Sequence, residues 1–436
     1  MGRVGIELAP RTADEEAMEV GNLGRVAFVR LCLTKSTLAV GAVVFLLIIF
    51  SGCGSSDSGA TANSSGTESS SPGFVDWPFF GRVPQRTHYL PDEKRALDPP
   101  LKQAWSINTH ALLEFPPAIH GGVAYVINKY GNGKAVRLRD RKVLWEINVR
   151  PSDKGKPNFV TGPVYYDGAI YGAFLTGNLA AGDAKTGKKL WVRHLNGHLE
   201  SSPLPVDGTL YLGTDTTNVV ALRASDGRTR WSFNAPGAIK ASPSYDDGKV
   251  FAADYQSSMF ALDAKTGKPV WRTNTSKVAP YGHGGFFSSP AIGFGRVYAA
   301  RNDGTVYAFD EQTGKVEWSF DAGDYVYGSP AVAEVPGTPP SVYIGAENGR
   351  FFALDARTGK PRWHYDVGGP IPGTATVIGH TVYTSSFKTQ ETTGLDTRTG
   401  KRVFHIKQAG YTPMISDGKR LFLVGYYDLI GLEPAK

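Results

Sequence analysis

A repeat of about forty residues constrains the fold of this chain more than any other feature of its sequence. Each copy ends in or near the pattern Asp-x-x-Thr-Gly-Lys-x-x-Trp, and the clearest copies end at Trp271, Trp318 and Trp363. The terminal aromatic residues give eight markers spaced 40 to 47 residues apart: Trp105, Trp145, Trp191, Trp231, Trp271, Trp318, Trp363 and Phe404. Self-similarity of this period is typical of solenoids and propellers. The markers therefore predict eight repeated units.

Each unit holds short strand-like segments separated by turn residues. The unit that ends at Phe233 contains four segments: Pro203–Val206, Thr209–Gly213, Val219–Leu222 and Thr229–Phe233. Asp-Gly pairs at 207–208 and 226–227 are expected to form tight turns. Four antiparallel strands in such a unit make a propeller blade. The sequence predicts an all-β protein, an eight-bladed β-propeller of four-stranded antiparallel blades, with seven blades as the runner-up.

The two ends of the repeat array predict how the ring closes. The last unit has three segments, 411–414, 420–424 and 429–432, and lacks a fourth. Residues 101–107 open the array with no inner strand before them. We expect this N-terminal strand to supply the missing outer strand, because closure removes the exposed edges of a sheet. The N-terminal extension, 74–100, is expected to pack across the outside or one face of the ring.

The repeated motif has a structural explanation. Between Asp263 and Gly267, the Asp side chain can cap its own turn and the Gly can adopt the left-handed conformation that leads into the outer strand. The Trp four residues later can fill the gap to the neighbouring blade. We therefore assign a structural docking role to the eight marker aromatic residues. The motif turns are expected on the face opposite to the connections between blades.

The N-terminal part of the chain is typical of an exported protein attached to a membrane. Residues 1–35 are expected to be a cytoplasmic or signal n-region, and residues 36–53 a signal-peptide h-region with a lipobox or a membrane anchor. The run from Phe50 to Cys53 resembles the lipobox of bacterial lipoproteins, which makes Cys53 the lipidation site. An uncleaved single-pass signal anchor is the alternative. Residues 54–73 predict a flexible Ser/Gly tether and residues 101–436 the propeller, on the extracytoplasmic side of the cell membrane.

Cysteine usage and charge exclude several function classes. The two cysteines, Cys32 and Cys53, both precede the predicted tether, so the exported domain is expected to have no disulfide and no Cys-based metal site. The net charge is +7. Much of this excess comes from the Lys or Arg that follows Thr-Gly in each repeat. Because these charges are spread around a ring rather than gathered into a stripe, no nucleic acid partner is expected.

Functional residues are expected in the loops that connect one blade to the next. These crossovers share one face, and recognition tends to reside in loops carried by a rigid scaffold. Two of the longer units gain their extra residues there, at 150–158 and 277–285. The candidate ligand-binding residues of this face are His198, Glu200, Lys240, Tyr281, His283, Asp324, Tyr325, Tyr327 and Tyr411. His198 and Glu200 could also form a proton relay.

Sequence signatures of common catalytic and metal sites are missing. The chain has no His-Glu-x-x-His, no Gly-x-Ser-x-Gly, no phosphate-binding loop and no calcium loop. Serines at 202, 242, 289 and 329 precede inner strands, and four equivalent serines indicate packing near the crowded axis rather than a nucleophile. No catalytic residue, metal ligand or cofactor is predicted from the residues themselves.

The repeat resembles the PQQ-like (pyrroloquinoline-quinone-type) propeller repeat, whose docking motif is Ala-x-Asp-x-x-Thr-Gly-x-x-x-Trp. Copies that begin at Ala261, Ala308 and Ala353 keep all five motif residues, and the resemblance covers residues 101–436. The family includes quinoprotein dehydrogenases, which would imply PQQ and calcium, and non-catalytic lipoproteins of the outer-membrane assembly type. The adjacent cysteine pair that quinoprotein alcohol dehydrogenases stack on the quinone is absent.

Together these features predict a membrane-tethered, extracytoplasmic propeller that acts as a non-catalytic binding or scaffolding module for a protein or envelope ligand. The alternative is a PQQ- and calcium-dependent quinoprotein dehydrogenase of alcohols or sugars. A ligand sensor is a third hypothesis, although no kinase or DNA-binding domain accompanies the repeats.

Overall fold

The computed structural model describes the following residues: 75–92, 94–148, 161–277, 284–408, 414–425 and 427–435. The regular secondary structure in these ranges consists of 33 β-strands, which form eight sheets. The sheets are the blades of a ring, and each blade has four antiparallel strands, which in blades 1 to 7 follow the chain from the axis to the rim. The prediction of an all-β, eight-bladed propeller is confirmed.

The first two strands lie before the repeats: β1 (Tyr89–Leu90) and β2 (Leu101–Asn108). Blade 1 contains β3 (Ala118–His120), β4 (Val123–Ile127), β5 (Asn132–Arg137) and β6 (Lys142–Asn148). Blade 2 contains β7 (Val164–Tyr166), β8 (Ala169–Ala173), β9 (Asn178–Asp183) and β10 (Lys189–His194). Blade 3 contains β11 (Leu204–Val206), β12 (Thr209–Gly213), β13 (Asn218–Arg223) and β14 (Thr229–Asn234). Blade 4 contains β15 (Ser244–Asp246), β16 (Lys249–Ala253), β17 (Ser258–Asp263) and β18 (Pro269–Asn274).

The other four blades follow the same plan. Blade 5 contains β19 (Ala291–Gly293), β20 (Arg296–Ala300), β21 (Thr305–Asp310) and β22 (Val316–Asp321). Blade 6 contains β23 (Ala331–Ala333), β24 (Ser341–Gly345), β25 (Arg350–Asp355) and β26 (Pro361–Asp366). Blade 7 contains β27 (Thr376–Ile378), β28 (Thr381–Ser386), β29 (Glu391–Asp396) and β30 (Arg402–Ile406). Blade 8 contains β31 (Met414–Ser416), β32 (Leu421–Gly425) and β33 (Asp428–Pro434), completed by β2.

Ring closure occurs in blade 8, as the sequence predicts. Strand β2 pairs antiparallel with β33, and the register runs from Leu101 opposite Pro434 to Asn108 opposite Asp428. The first strand of the repeat array thus becomes the outer strand of the last blade. This arrangement joins the two ends of the array through main-chain hydrogen bonds and leaves neither end as a free sheet.

The motif turns dock each blade onto the next one. The carboxylate of Asp263 accepts hydrogen bonds from the amide and the hydroxyl of Thr266, and these bonds lower the pKa of Asp263. The indole of Trp231, one blade earlier, donates to the carbonyl of Ala264 at 2.9 Å. Gly267 has a φ of +71°, and a Cβ there would lie 2.6 Å from the same indole. The turn therefore needs glycine for its backbone conformation and for the close approach of the neighbouring Trp.

The N-terminal extension does not pack where we expected it. Residues 75–90, here called the inner belt, run around the inside of the ring instead of across its outside or one face. The belt hydrogen-bonds the middle residues of six inner strands: Ile119, Tyr165, Tyr245, Ile292, Val332 and Val377. Its last two residues form β1, which pairs in parallel with β27. The reason is that the three-residue inner strands have main-chain groups that face the axis and need partners.

Residues 1–74, which include Cys53 and the expected signal, anchor and tether segments, lie outside the described residues. Within the described part, no helix is long and apolar enough to cross a membrane.

Candidate ligand-binding site at the loop face

The propeller has two chemically different faces. Crossovers between blades and the turns between the second and third strands of each blade lie on one face, here called the loop face. Motif turns and the hairpins between the first and second strands lie on the other, here called the motif-turn face. An antiparallel meander requires this separation, because successive turns alternate between the two ends of the strands.

An ion pair lies on the loop face where blades 3 and 4 begin. Lys240 Nζ lies 2.8 Å from Glu200 Oε1, and each side chain is about a quarter exposed. The ammonium group of Lys240 also lies 5.2 Å from the ring centre of Tyr255, in cation–π geometry. Two of the predicted residues are thus brought together, and they are joined by a tyrosine that sequence reasoning missed.

A second carboxyl group, Glu114, extends this cluster towards blade 1. Burial raises the pKa of Glu114 to about 8; the nearby Glu200 carboxylate raises it too, whereas Lys129 lowers it. Atom Oε2 of Glu114 is buried and has no hydrogen-bond partner among the described residues. The carboxyl group is therefore largely protonated at neutral pH.

Aromatic side chains continue from the ion pair across blades 4 to 6. The ring centre of Tyr255 lies 6.3 Å from that of Phe287, which lies 5.8 Å from that of Tyr327. Tyr327 is stacked with Tyr325 at 6.2 Å, and Tyr325 is 49% exposed. We call these four residues the aromatic arc. They form a row that begins beside Lys240 and ends at the open surface.

The inner belt closes the axis beneath the loop face. Arg86 is fully buried, and its guanidinium donates hydrogen bonds to the carbonyls of Phe80, Ser202 and Pro243. Ser202 lies two residues before the inner strand β11, and Pro243 lies directly before the inner strand β15. Burial lowers the pKa of Arg86 to about 9, so it keeps its charge at neutral pH. The inner belt thus places a buried cationic group next to the starts of the inner strands of blades 3 and 4.

The other predicted site residues have different surroundings. His198 is 65% exposed and contacts Asp215 at 3.3 Å, whereas Glu200 contacts Lys240, so the two residues expected to form a proton relay bind separate partners. The carboxylate of Asp324 accepts a hydrogen bond from the main-chain amide of Tyr325. Three further candidates lie outside the described residues: Tyr281, His283 and Tyr411.

Serines at the start of the inner strands link neighbouring blades. The hydroxyl of Ser242 accepts the amide of Ser202 at 2.9 Å, and the hydroxyl of Ser289 accepts the amide of Ser242 at 3.0 Å. In the same way, the hydroxyl of Ser329 accepts a hydrogen bond from the amide of Ser289, and the hydroxyl of Thr374 accepts one from the amide of Ser329. These hydroxyls form a ladder around the axis in blades 3 to 7, as the packing interpretation of the serines requires.

Comparison with known families agrees with the propeller fold. A family model described as "Outer membrane protein assembly factor BamB" matches residues 101–233, 175–319 and 239–431. The chain belongs to this family of PQQ-like propellers. Together, the three matches span nearly all of the ring.

Curated relatives of this PQQ-like propeller are quinone-dependent enzymes. The dehydrogenase subunit of alcohol dehydrogenase (quinone) from Komagataeibacter europaeus is 35% identical over 125 residues, which are 27% of this chain and 17% of the relative. The corresponding subunit from Gluconobacter oxydans (strain 621H) is 35% identical over 140 residues, 30% of this chain and 18% of the relative. The matched regions thus span less than a fifth of these relatives.

Solved structures share the fold of the PQQ-like propeller. BamB from Moraxella catarrhalis superposes with a TM-score of 0.62 and 19% identity, covering 76% of this chain and 99% of that one. Quinohemoprotein alcohol dehydrogenase from Comamonas testosteroni superposes with a TM-score of 0.68 and 15% identity, covering 82% of this chain and 80% of that one. At these identities the likeness concerns the fold alone.

In the described residues of this propeller, no cluster of metal-ligating side chains marks a calcium site. Nowhere in the ranges that the structure describes do three His, Cys, Asp or Glu side chains form a group that could hold a metal ion. On the loop face, Glu200 pairs with Lys240, and Glu114 interacts electrostatically with Glu200 and Lys129. Both cysteines precede residue 54, so a cysteine pair cannot cover a quinone on the described loop face.

Proposed function

We propose that this chain is a membrane-tethered, extracytoplasmic binding module that holds a protein or envelope ligand on its loop face. The observation that carries the proposal is the aromatic arc, which connects the Glu200–Lys240 ion pair to the surface across three blades. Exposed aromatic side chains provide large contact areas at low entropic cost, and tyrosine is enriched in binding sites for this reason. The BamB-type family and the solved BamB fold support a protein partner.

The charged groups of the face favour binding over catalysis. Glu200 is paired with Lys240, His198 with Asp215, and Arg301 with Asp303. A general base needs an accessible lone pair beside the group whose proton it removes. Ligand binding requires only that the polar groups be held in position, and these pairs hold them.

Photo-crosslinking tests the proposal. A p-benzoylphenylalanine at position 325 is expected to give one discrete crosslinked product in native membranes. The same residue at position 270 is the control, because Val270 is similarly exposed but lies on the outer strand β18. A Tyr327→Ala background should suppress the product at 325. Equal labelling at both positions, or no product at 325, would contradict the proposal.

The second candidate function is quinone-dependent alcohol oxidation, and the observation that favours it is the 35% identity to the alcohol dehydrogenase subunits. The test is to incubate the purified chain with PQQ and Ca²⁺ and to measure dye reduction with alcohols and aldose sugars. Turnover above that of the cofactor alone would support this candidate. Absence of both turnover and quinone absorbance on the protein would eliminate it.

A further inference from the structure

Positive charge is unevenly distributed over the motif-turn face. The six-residue motif turns of blades 1 to 3 span 137–142, 183–188 and 223–228 and hold eight Lys or Arg and three Asp or Glu. The turns of blades 4 to 6 hold five Lys or Arg and four Asp or Glu. In the described part of the loop face, six Lys or Arg stand against seven Asp or Glu. The hairpins between the first and second strands add two acids to each set, Asp167 and Asp207 in blades 1 to 3 and Asp247 and Glu334 in blades 4 to 6. The first three blades therefore keep a local excess of cations, whereas blades 4 to 6 have none.

Exposed aliphatic side chains lie beside these cations. Val143 and Leu144 are each 41% exposed and follow Lys142, while Leu190 is 54% exposed and follows Lys189. All three begin the outer strands of blades 1 and 2. Beside Leu190, a groove of about 330 Å³ between blades 2 and 3 is lined by Tyr166, Trp191, Arg223 and Arg230 among others. We call the motif turns and outer-strand starts of blades 1 to 3 the basic rim.

The chain enters the ring next to this surface. The amide of Val75 donates to the carbonyl of Asp417 in the hairpin between β31 and β32, on the motif-turn face of blade 8. The same hairpin reaches blade 1, where Arg420 donates to the carbonyl of Leu138. Twenty-one residues, 54–74, separate Val75 from Cys53 in sequence, and a chain of that length spans at most about 70 Å. An anchor at 36–53 would therefore leave the basic rim within reach of the bilayer.

From these three observations we propose that the basic rim docks on an anionic lipid bilayer, so that the loop face points away from the membrane. Clustered Lys and Arg are attracted to anionic headgroups within about a Debye length, roughly 10 Å at 0.1 M salt. Adjacent exposed aliphatic side chains add apolar area that enters the headgroup boundary. The inference rests on the proposed membrane tether, but it concerns a different contact.

Amine acetylation of the full chain tests this contact. The chain is reconstituted with vesicles of phosphatidylcholine alone or with about 30% phosphatidylglycerol, and the modified lysines are quantified by mass spectrometry. We expect acetylation of Lys142, Lys188 and Lys189 to slow by about threefold or more in the anionic vesicles, and to recover at about 0.5 M salt. Internal controls should react equally in both: Lys268 and Lys360, in motif turns outside the basic rim, and Lys277 and Lys388, on the loop face.

Charge reversal provides a second measurement. The variant Lys142→Glu/Lys189→Glu should lose the salt-sensitive protection of Lys188. The matched variant Lys268→Glu/Lys360→Glu, which reverses two exposed lysines of blades 4 and 6, should keep it. Because all four side chains are exposed, both variants are expected to fold. Equal loss in the two variants would contradict a localised docking surface.

Flotation with the vesicles separates this inference from the proposed tether. A chain that floats with both vesicle types but shows no lysine protection overturns the docking inference alone. Flotation with neither type overturns both proposals. Flotation with anionic vesicles only supports docking and counts against the anchor. Protection of the same lysines by a short DNA duplex, in preference to anionic vesicles, would assign the rim to nucleic acid and overturn the inference.

Discussion

At the scale of single residues, the repeated motif is explained by two constraints at its glycine. Gly267 has a positive φ, and it also lies against the indole of Trp231 from the preceding blade. Gly314 and Gly359 repeat the arrangement against Trp271 and Trp318. The sequence predicts the positive φ from the turn pattern. The contact between blades follows only from the structure, because the Trp and the Gly belong to different repeats.

A pair of glycine substitutions distinguishes the two constraints. Gly248→Ala should cost about 1 kcal/mol in the free energy of unfolding, because φ is +73° there but no atom lies within 4 Å of the added Cβ. Gly267→Ala should cost about 1–3 kcal/mol more, because its Cβ would also clash with Trp231. Urea denaturation measures both. Equal destabilisation of the two variants would show that the indole contact contributes nothing.

Glu114 makes stability depend on pH. Its pKa is raised from the ordinary 4.5 to about 8, so the folded state binds more protons than the unfolded state between these values. The contribution of Glu114 to stability is therefore favourable below about pH 4.5 and is lost as the pH rises to about 8. Glu114→Gln should remove this dependence, and its advantage over the wild type in urea midpoint should grow from pH 5 to pH 8. A constant difference would contradict the raised pKa.

At the scale of elements, the inner strands are held by two sets of contacts that close around the axis. The hydroxyl ladder links the starts of the inner strands of blades 3 to 7, and the inner belt hydrogen-bonds the middle residues of most inner strands. Each inner strand has only three residues. These contacts satisfy main-chain groups that short strands alone leave unpaired near the axis.

Removing one hydroxyl of the ladder should destabilise the ring. Ser242→Ala leaves the buried amide of Ser202 without its partner, which should cost about 1–3 kcal/mol. Ser225→Ala, at an exposed position of the neighbouring motif turn, should change stability by less than about 0.5 kcal/mol. Thermal unfolding followed by circular dichroism compares the two variants. A Ser242→Ala variant as stable as Ser225→Ala would show that the hydroxyl ladder does not contribute to the stability of the ring.

The blades were predictable from sequence, whereas the belt was not. The forty-residue period, the Asp-Gly turns and the marker aromatic residues are all local signals in the sequence. The absence of a fourth strand from the last unit identified β2 as the closing strand. Residues 75–90 carry no such period, and they bind the ring mainly through main-chain groups, which leave no pattern in side chains. Glu114 was missed for a related reason: it is a single acid between apolar residues, and its neighbours Lys129 and Glu200 come from other segments.

At the scale of the whole molecule, the ring separates two surfaces. Glu200, Lys240, Tyr325 and Tyr327 were predicted to lie on one face, and the structure brings them into one continuous row with Tyr255 and Phe287. The motif turns that define the repeat lie on the opposite face. The proposed recognition residues and the motif turns that dock neighbouring blades thus lie on opposite faces, and substitutions in one set should leave the other intact.

The most direct test of the account is hydrogen exchange on the full chain in its native membrane, compared with the purified chain in synthetic lipid vesicles. We predict slower exchange in the native membrane within five loop-face segments that carry the ion pair and the aromatic arc: 195–203, 235–243, 254–257, 284–290 and 322–330. The outer strands of the same blades, β18 and β22, should exchange equally in both samples. Protection confined to outer strands, or identical exchange throughout, would contradict the claim that the loop face holds the ligand.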